Sequence, residues 1–182
     1  ESEDEGLVVL PTHRLIRSLG SSSKTAFLER LRAHFEFVPY PERELFEAME
    51  ARGDDEKVFG GLFGKEGSFL LKLKDLESLR PLLPPGKPPI WYEIEVNLLT
   101  HFIFQELFRN SCKEVEGLIE YTRFWEEVVQ AIHEKRAEAA FLLRSPKIDT
   151  LRELARAGER MPQKTTYFYP KLASGLFFYH QE

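Results

Sequence analysis

The sequence predicts an α+β domain, a mixed sheet with helices packed on it, and three features carry that reading. Apolar runs of strand length punctuate the chain, among them Gly-Leu-Val-Val-Leu from Gly6 to Leu10 and Ala-Ala-Phe-Leu-Leu from Ala139 to Leu143. Between such runs lie stretches whose apolar residues recur at helical spacing. The last third alternates strand, helix and strand with short connections, the pattern of a C-terminal βαβ-like unit.

In chain order, Gly6 to Leu10 forms a short buried strand stopped by Pro11, and Leu15 to Leu19 resumes an extended or helical course. Ser21 to Ser23 offer N-caps for a helix from about Lys24 to His34, with Phe27, Leu28, Leu31 and Phe35 inward. Phe35 to Val38 is a strand. Pro41 then takes the first position of a helix ending near Gly53, with Leu45, Phe46 and Met49 facing the core. Val58 to Phe63 and Ser68 to Leu73 make a hairpin across Gly64-Lys65-Glu66-Gly67. The isolated Gly60-Gly61 pair points to a bulge or to tight packing rather than to a phosphate loop. Asp75 caps a short helix reaching Leu79.

Pro81, Pro84, Pro85, Pro88 and Pro89 crowd residues 81–89, a stiff, extended linker between subregions 1–80 and 90–182 of what is expected to be one compact domain. Ile90 to Phe108 is expected to be the longest helix, largely buried, with Ile94, Leu98, Phe102 and Gln105 along one face. Leu118 to Tyr121 is a strand, Arg123 to Glu134 a helix and Ala139 to Leu143 a strand. Asp149 caps a helix through Ala157 that Gly158 ends, and Leu176 to Tyr179 is a last strand.

Composition narrows the function classes. Apolar residues at 42% against 30% charged are a globular balance, and a net charge of −5 gives no general attraction to nucleic acid or to anionic membranes. No apolar run approaches the length needed to span a bilayer. Cys112 is the single cysteine, so neither an intrachain disulfide nor a cysteine-based zinc site can form, which fits a reducing, cytoplasmic setting. The chain opens on Glu-Ser-Glu-Asp-Glu without an initiator Met and enters an apolar run at Leu7, as the later part of a longer protein would.

The strongest chemical signal lies near the carboxyl end. From Met161 to Leu176 two prolines, two lysines and hydroxyl side chains alternate with the Tyr167-Phe168-Tyr169 triplet. The prolines rule out one continuous helix. From Arg144 to Lys171 seven cationic residues (Arg144, Lys147, Arg152, Arg156, Arg160, Lys164, Lys171) face three acids, a local +4 in a chain of −5. Arg160, Lys164, Thr165, Thr166 and Lys171 are therefore candidate ligands for a phosphate or carboxylate, since cations and hydroxyls can donate charge-assisted hydrogen bonds to such groups. The commoner alternative is a solvated helix face with the aromatic triplet anchoring a loop. His13 and Arg14, at the exit of the first strand, are the second candidate, against a structural or surface role for the pair. Glu93, Asn97 and His101 form a polar stripe at i, i+4 and i+8, best read as a face turned to solvent. His133-Glu134 lacks the second histidine of a zinc protease motif, and no nucleophile elbow, Walker loop or dinucleotide motif is present. No metal ligands are assigned, and the cofactor is left unknown.

Two sets of residues resemble a known family. The closing run from Gly158 through Met161-Pro162-Gln163-Lys164-Thr165-Thr166-Tyr167-Phe168-Tyr169-Pro170-Lys171 to Ser174-Gly175-Leu176 is similar to the end of the bacterial domain of unknown function 1015 family. The opening Gly6 to Arg14 and the strand Ala139 to Leu143 resemble that family's corresponding segments, while Phe35 to Phe108 matches only loosely. The resemblance implies an additional N-terminal half of ParB/sulfiredoxin type carrying an Asp-Gly-His-His-Arg motif. This chain has no His-His pair, so it resembles the C-terminal portion of such a protein. By analogy with nucleotide-binding ParB-like relatives, the resemblance implies a phosphotransferase-like activity on a small molecule. The alternative is a non-catalytic domain that packs against the N-terminal half or forms a homodimer.

Overall fold

Six strands pair in the order β3-β5-β4-β7-β2-β6, and every neighbouring pair is antiparallel. The computed structural model describes residues 8–19, 23–108, 117–162 and 164–170, and side chains throughout these except at 104–108. In chain order the elements are β1 (Val8–Leu10), β2 (His13–Ile16), α1 (Lys24–His34), β3 (Phe35–Pro39), α2 (Glu42–Glu50), β4 (Val58–Leu62) and β5 (Ser68–Leu73). There follow α3 (Leu76–Leu79), α4 (Pro89–Tyr92), α5 (Glu95–Phe108), β6 (Ile119–Thr122), α6 (Trp125–His133), β7 (Ala139–Leu142), α7 (Ile148–Arg156) and β8 (Tyr167–Tyr169). The fold is α+β. β1 and β8 form a separate two-stranded ribbon.

Because side chains alternate across a strand, consecutive residues feed two different cores. Ile16, Phe59, Leu71 and Phe141 join Phe27, Leu31, Phe35 and Phe102 on the face covered by α1 and α5. Leu15, Val58, Leu70 and Leu142 join Leu45, Met49, Val128 and Ile132 on the face covered by α2 and α6. The first core is ring-rich: Phe35 meets Phe59 and Phe102 edge-on, with centroids 5.6 and 5.8 Å away. Such pairs contribute about 0.5–1.5 kcal/mol each beyond burial. β6 and β7 are both antiparallel to β2, which lies between them, so they run parallel to one another and α6 connects them. The βαβ-like unit is thus split by an inserted strand.

Local signals place most elements. Ser23 Oγ accepts from the Ala26 N–H at 3.2 Å and starts α1, and Asp75 Oδ1 accepts from the Glu77 N–H at 3.1 Å and starts α3. Tight packing accounts for the glycine pair. A Cβ at Gly60 would stand 2.8 Å from Met49 Sδ, and one at Gly61 would stand 2.8 Å from the Phe63 ring, while the β4–β5 register continues without a bulge.

Five expectations need correction. The first strand is not buried, because among the described residues β1 pairs only with β8 in the ribbon and leaves Val8 exposed. The helix expected over Ile90 to Phe108 is two helices, α4 and α5, because Asn97 Nδ2 donates to Trp91 O at 2.9 Å and holds the break between them. The polar stripe does not face solvent: Asn97 is fully buried and His101 half-buried, and Glu93 alone of the three is exposed. Residues 81–89 are not extended throughout. A 3-10 turn over Arg80–Leu82 and a buried Leu83 fold them onto the core, where Tyr92 Oη donates to Pro84 O at 2.8 Å. Lys147 rather than Asp149 precedes α7, which puts Asp149 in the first turn, where its charge favours the helix dipole. Gly158, at φ 73°, follows the end of α7 as expected. The strand expected at Leu176 to Tyr179 lies outside the described residues.

Candidate functional site

Two charged regions stand out, and they are built differently. The first is an open cleft of about 510 Å³ where the C-terminal end of α2, the start of α5 and the segment from β7 into α7 meet. Arg144 leaves β7 there and uses every donor it has. Nε donates to Glu95 Oε2 at 3.2 Å, Nη1 to the carbonyls of Arg52 at 2.9 Å and Gly53 at 3.2 Å, and Nη2 to Glu56 O at 2.7 Å and to Glu95 Oε1. Glu95 Oε1 also accepts from the Val58 N–H at 3.0 Å. Lys57 reaches Glu93 at 3.0 Å, and Lys147 pairs with Asp54. Burial pushes the Glu50 carboxyl above the usual range, against the pull of Arg144. Ion pairs across the cleft join three segments, the α2–β4 loop, the stretch that opens α5 and the chain from β7 into α7.

This changes the reading of the local +4. Arg144 and Lys147 belong to the cleft, and Arg152 pairs with Asp149 at 2.7 Å one turn away. Arg144 and Lys147 are neutralised where they stand, because acids distant in sequence, Glu95 and Asp54, are folded onto them. No local pattern marks Arg144 and Glu95 as partners, since 49 positions separate them.

The second region is the end of the sheet at which β2 begins. β1 pairs with β8, Val8 opposite Tyr169 and Leu10 opposite Tyr167, so the opening and closing stretches of the sequence meet. Ser145 Oγ ties β1 to the chain after β7 by donating to Val9 O at 2.6 Å. His13 and Arg14 follow two residues after β1 and are 1% and 2% exposed. His13 points to the α2–α6 side, edge-on to Phe46 at 5.9 Å, and its Nδ1 accepts from the Leu143 N–H at 3.2 Å. Burial, reinforced by Arg14, brings its pKa down to about 4, so the ring is neutral at pH 7. Arg14 faces the other way. Its Nη1 donates to Thr12 O, its guanidinium lies 5.0 Å from the Tyr121 ring centroid, and its Nη2 has no hydrogen-bond partner among the described residues. Burial lowers its pKa to about 10, with Tyr121 acting in the opposite direction.

Of the closing candidates, Arg160 and Lys164 are exposed and Thr166 is half-buried. Lys164 turns the chain at φ 57°, and Thr165 is buried with its hydroxyl donating to Pro162 O at 2.6 Å. Lys171 lies outside the described residues. The β1–β8 pairing therefore brings Lys164 to Thr166 and His13-Arg14 to one end of the molecule. Arg123, which the sequence did not single out, rests there on the rings of Phe124 and Tyr167 at 4.6 and 4.5 Å. Its position directly after a short strand was the available signal. Among the described residues no group of three or more His, Cys, Asp or Glu side chains could hold a metal ion. No helix among them is long and apolar enough to cross a membrane.

Comparison with known proteins gives the following. A family model described as a protein of unknown function, DUF1015, matches residues 1–97. That span includes β1, His13 and Arg14, while the closing stretch lies beyond it. No curated protein matches the chain. Among solved structures, a free serine kinase in complex with AMP is similar at 17% identity and a TM-score of 0.51, over 92% of this chain and 56% of that one. A free serine kinase variant in complex with ADP gives 18% and 0.53 over the same shares. A conserved hypothetical protein from Pyrococcus furiosus gives 16% and 0.52, over 92% of this chain and 58% of that one. At these identities the likeness is one of fold. The chain spans a little over half the length of the solved proteins it matches.

Proposed function

The chain belongs to the DUF1015 family, and on that premise we propose that it forms part of a protein that binds a nucleotide or another phosphorylated or carboxylate small molecule, in phosphotransferase-like chemistry. One observation carries the reading: the pairing of β1 with β8, which sets His13-Arg14 beside the Lys164-Thr165-Thr166 stretch. Arg160, Lys164 and Lys171 would supply positive charge to an anionic group, as phosphoryl transfer requires. Thr166 would donate from its hydroxyl. Thr165, already bonded to Pro162 O, and His13, already accepting from Leu143 N, would shape the site rather than touch the ligand. The fold shared with a free serine kinase that holds AMP or ADP supports the same class of ligand. Thermal-shift measurements with ATP, ADP, phosphoserine and sulfate test it. A ligand-dependent rise in melting temperature that Lys164→Ala removes is the expected result. A chain that none of these stabilises, or an equal rise in Lys164→Ala, would count against the assignment.

A second reading is favoured by exposed apolar surface. Val8, Phe168 and Tyr169 on the ribbon and Phe124 beside it are 47%, 44%, 56% and 46% exposed. A ring-rich patch of this kind suits a protein contact, and the N-terminal half of a longer protein or a second copy of the chain would cover it. Light scattering of the chain alone and co-purification with that half distinguish the two. A monomer that ignores the half removes this reading.

A further inference from the structure

Arg14 is a buried cation that meets no acid among the described residues. Its side chain is 2% exposed, one terminal nitrogen is satisfied by a carbonyl, one face by the Tyr121 ring, and Nη2 by nothing among the described residues. The influences on its proton are burial and Tyr121, with no carboxylate among them. Taking a guanidinium out of water is costly unless an opposite charge and full hydrogen bonding replace the solvent. An aromatic face replaces only part of it. Arg144 shows what a fully compensated arginine looks like in the same sheet, with a bidentate carboxylate and three carbonyls. A methionine would fill the slot of Arg14 at no electrostatic cost, so packing does not explain an arginine there.

We infer that Arg14 is the anion-recognition residue of this end of the molecule, its Nη2 donating to one oxygen of a compact oxyanion, a phosphate group or a carboxylate. This rests on the anion-binding reading above and names the atom that does the recognising. Because Arg14 is only 2% exposed, an anion would have to enter beside the Tyr121 ring, between β6 and the β1–β8 ribbon. Tyr121, the half-exposed ring beside Arg14, belongs to β6, and Arg123 just past that strand bridges to Tyr167 on β8. Among the described residues Arg123 rests on two rings rather than on an acid, which makes it an outer guanidinium for the same anion. The lysines of the closing stretch then add general positive charge, and the directional contact belongs to Arg14.

The test follows melting temperature and calorimetric binding of inorganic phosphate, sulfate and acetate by the chain and by Arg14→Met. The expected result is that phosphate stabilises the natural chain, that Arg14→Met melts no lower in anion-free buffer, and that it no longer responds to phosphate. A stronger response to phosphate than to acetate assigns the anion to a phosphoryl group, and the reverse order assigns it to a carboxylate. If Arg14→Met binds phosphate as the natural chain does, Arg14 is not the recognising group, although the anion-binding reading survives. If the natural chain responds to none of the three anions, both fail. Should Arg14→Met not fold, Arg14→Lys keeps the charge but not the planar fork. At least a roughly tenfold weaker affinity for phosphate is then expected, and an unchanged affinity overturns the inference.

Discussion

Arg144 and Arg14 sit on neighbouring strands or just past them, both withdrawn from water, and are treated in opposite ways. Arg144 has a carboxylate and three carbonyls around it and joins the α2–β4 loop to the start of α5 and the exit of β7. Arg14 has one carbonyl and a ring. Sequence reading counted Arg144 in the cationic cluster and named Arg14 a candidate ligand residue, yet the first is a structural clasp and the second keeps a donor unpaired among the described residues. Local positive charge is therefore a poor guide to a ligand site. What matters is whether an acid from elsewhere in the chain has already been folded onto the cation.

The contrast can be broken most forcefully at the clasp. Arg144→Met leaves Glu95, whose side chain is 13% exposed, as an uncompensated partly buried charge. It should lower unfolding stability by about 3–5 kcal/mol in chemical denaturation. A loss no larger than that of Arg14→Met would erase the distinction between the two arginines.

Acid should act next, at the open end. The folded His13 titrates near 4, below its ordinary 6.5, so in between the unfolded chain takes up a proton that the folded one refuses. Stability from the neutral ring is complete above about 6.5 and declines as pH falls toward 4, by up to about 3 kcal/mol. Denaturation midpoints measured across that range should show the slope, and His13→Gln should flatten it.

A smaller effect sharpens the account of the clasp. Asn97→Ala removes the bond to Trp91 O that fixes the α4–α5 break and so the position of Glu95. A cost of about 1–3 kcal/mol is expected. A double-mutant cycle with Arg144→Met should show coupling, and strictly additive losses would separate the break from the clasp. The smallest effect serves as a control: Arg17 and Glu120, 59% and 42% exposed, form a solvent-screened pair whose loss in Arg17→Ala should fall within about 0.5 kcal/mol.

Elements whose cause is local were legible. Ser23 and the Phe27, Leu28, Leu31 face specify α1, Asp75 starts α3, and two apolar runs around Gly64 and Gly67 specify the β4–β5 hairpin. The break before α5 was not, because Asn97 looks polar and solvent-seeking until its partner, a carbonyl six residues back, is known. Of the candidate site, the residue types were legible and their company was not.

By itself the sequence determined the fold class, the starts of α1 and α3 and the β4–β5 hairpin, since caps and turn signals act over a few residues. Tertiary structure alone decided that β8 lies against β1, that Glu95 meets Arg144, and that Arg14 meets no acid among the described residues. Such pairings depend on strand order, and the energy of a charge depends on what surrounds it after burial, neither of which a local pattern encodes.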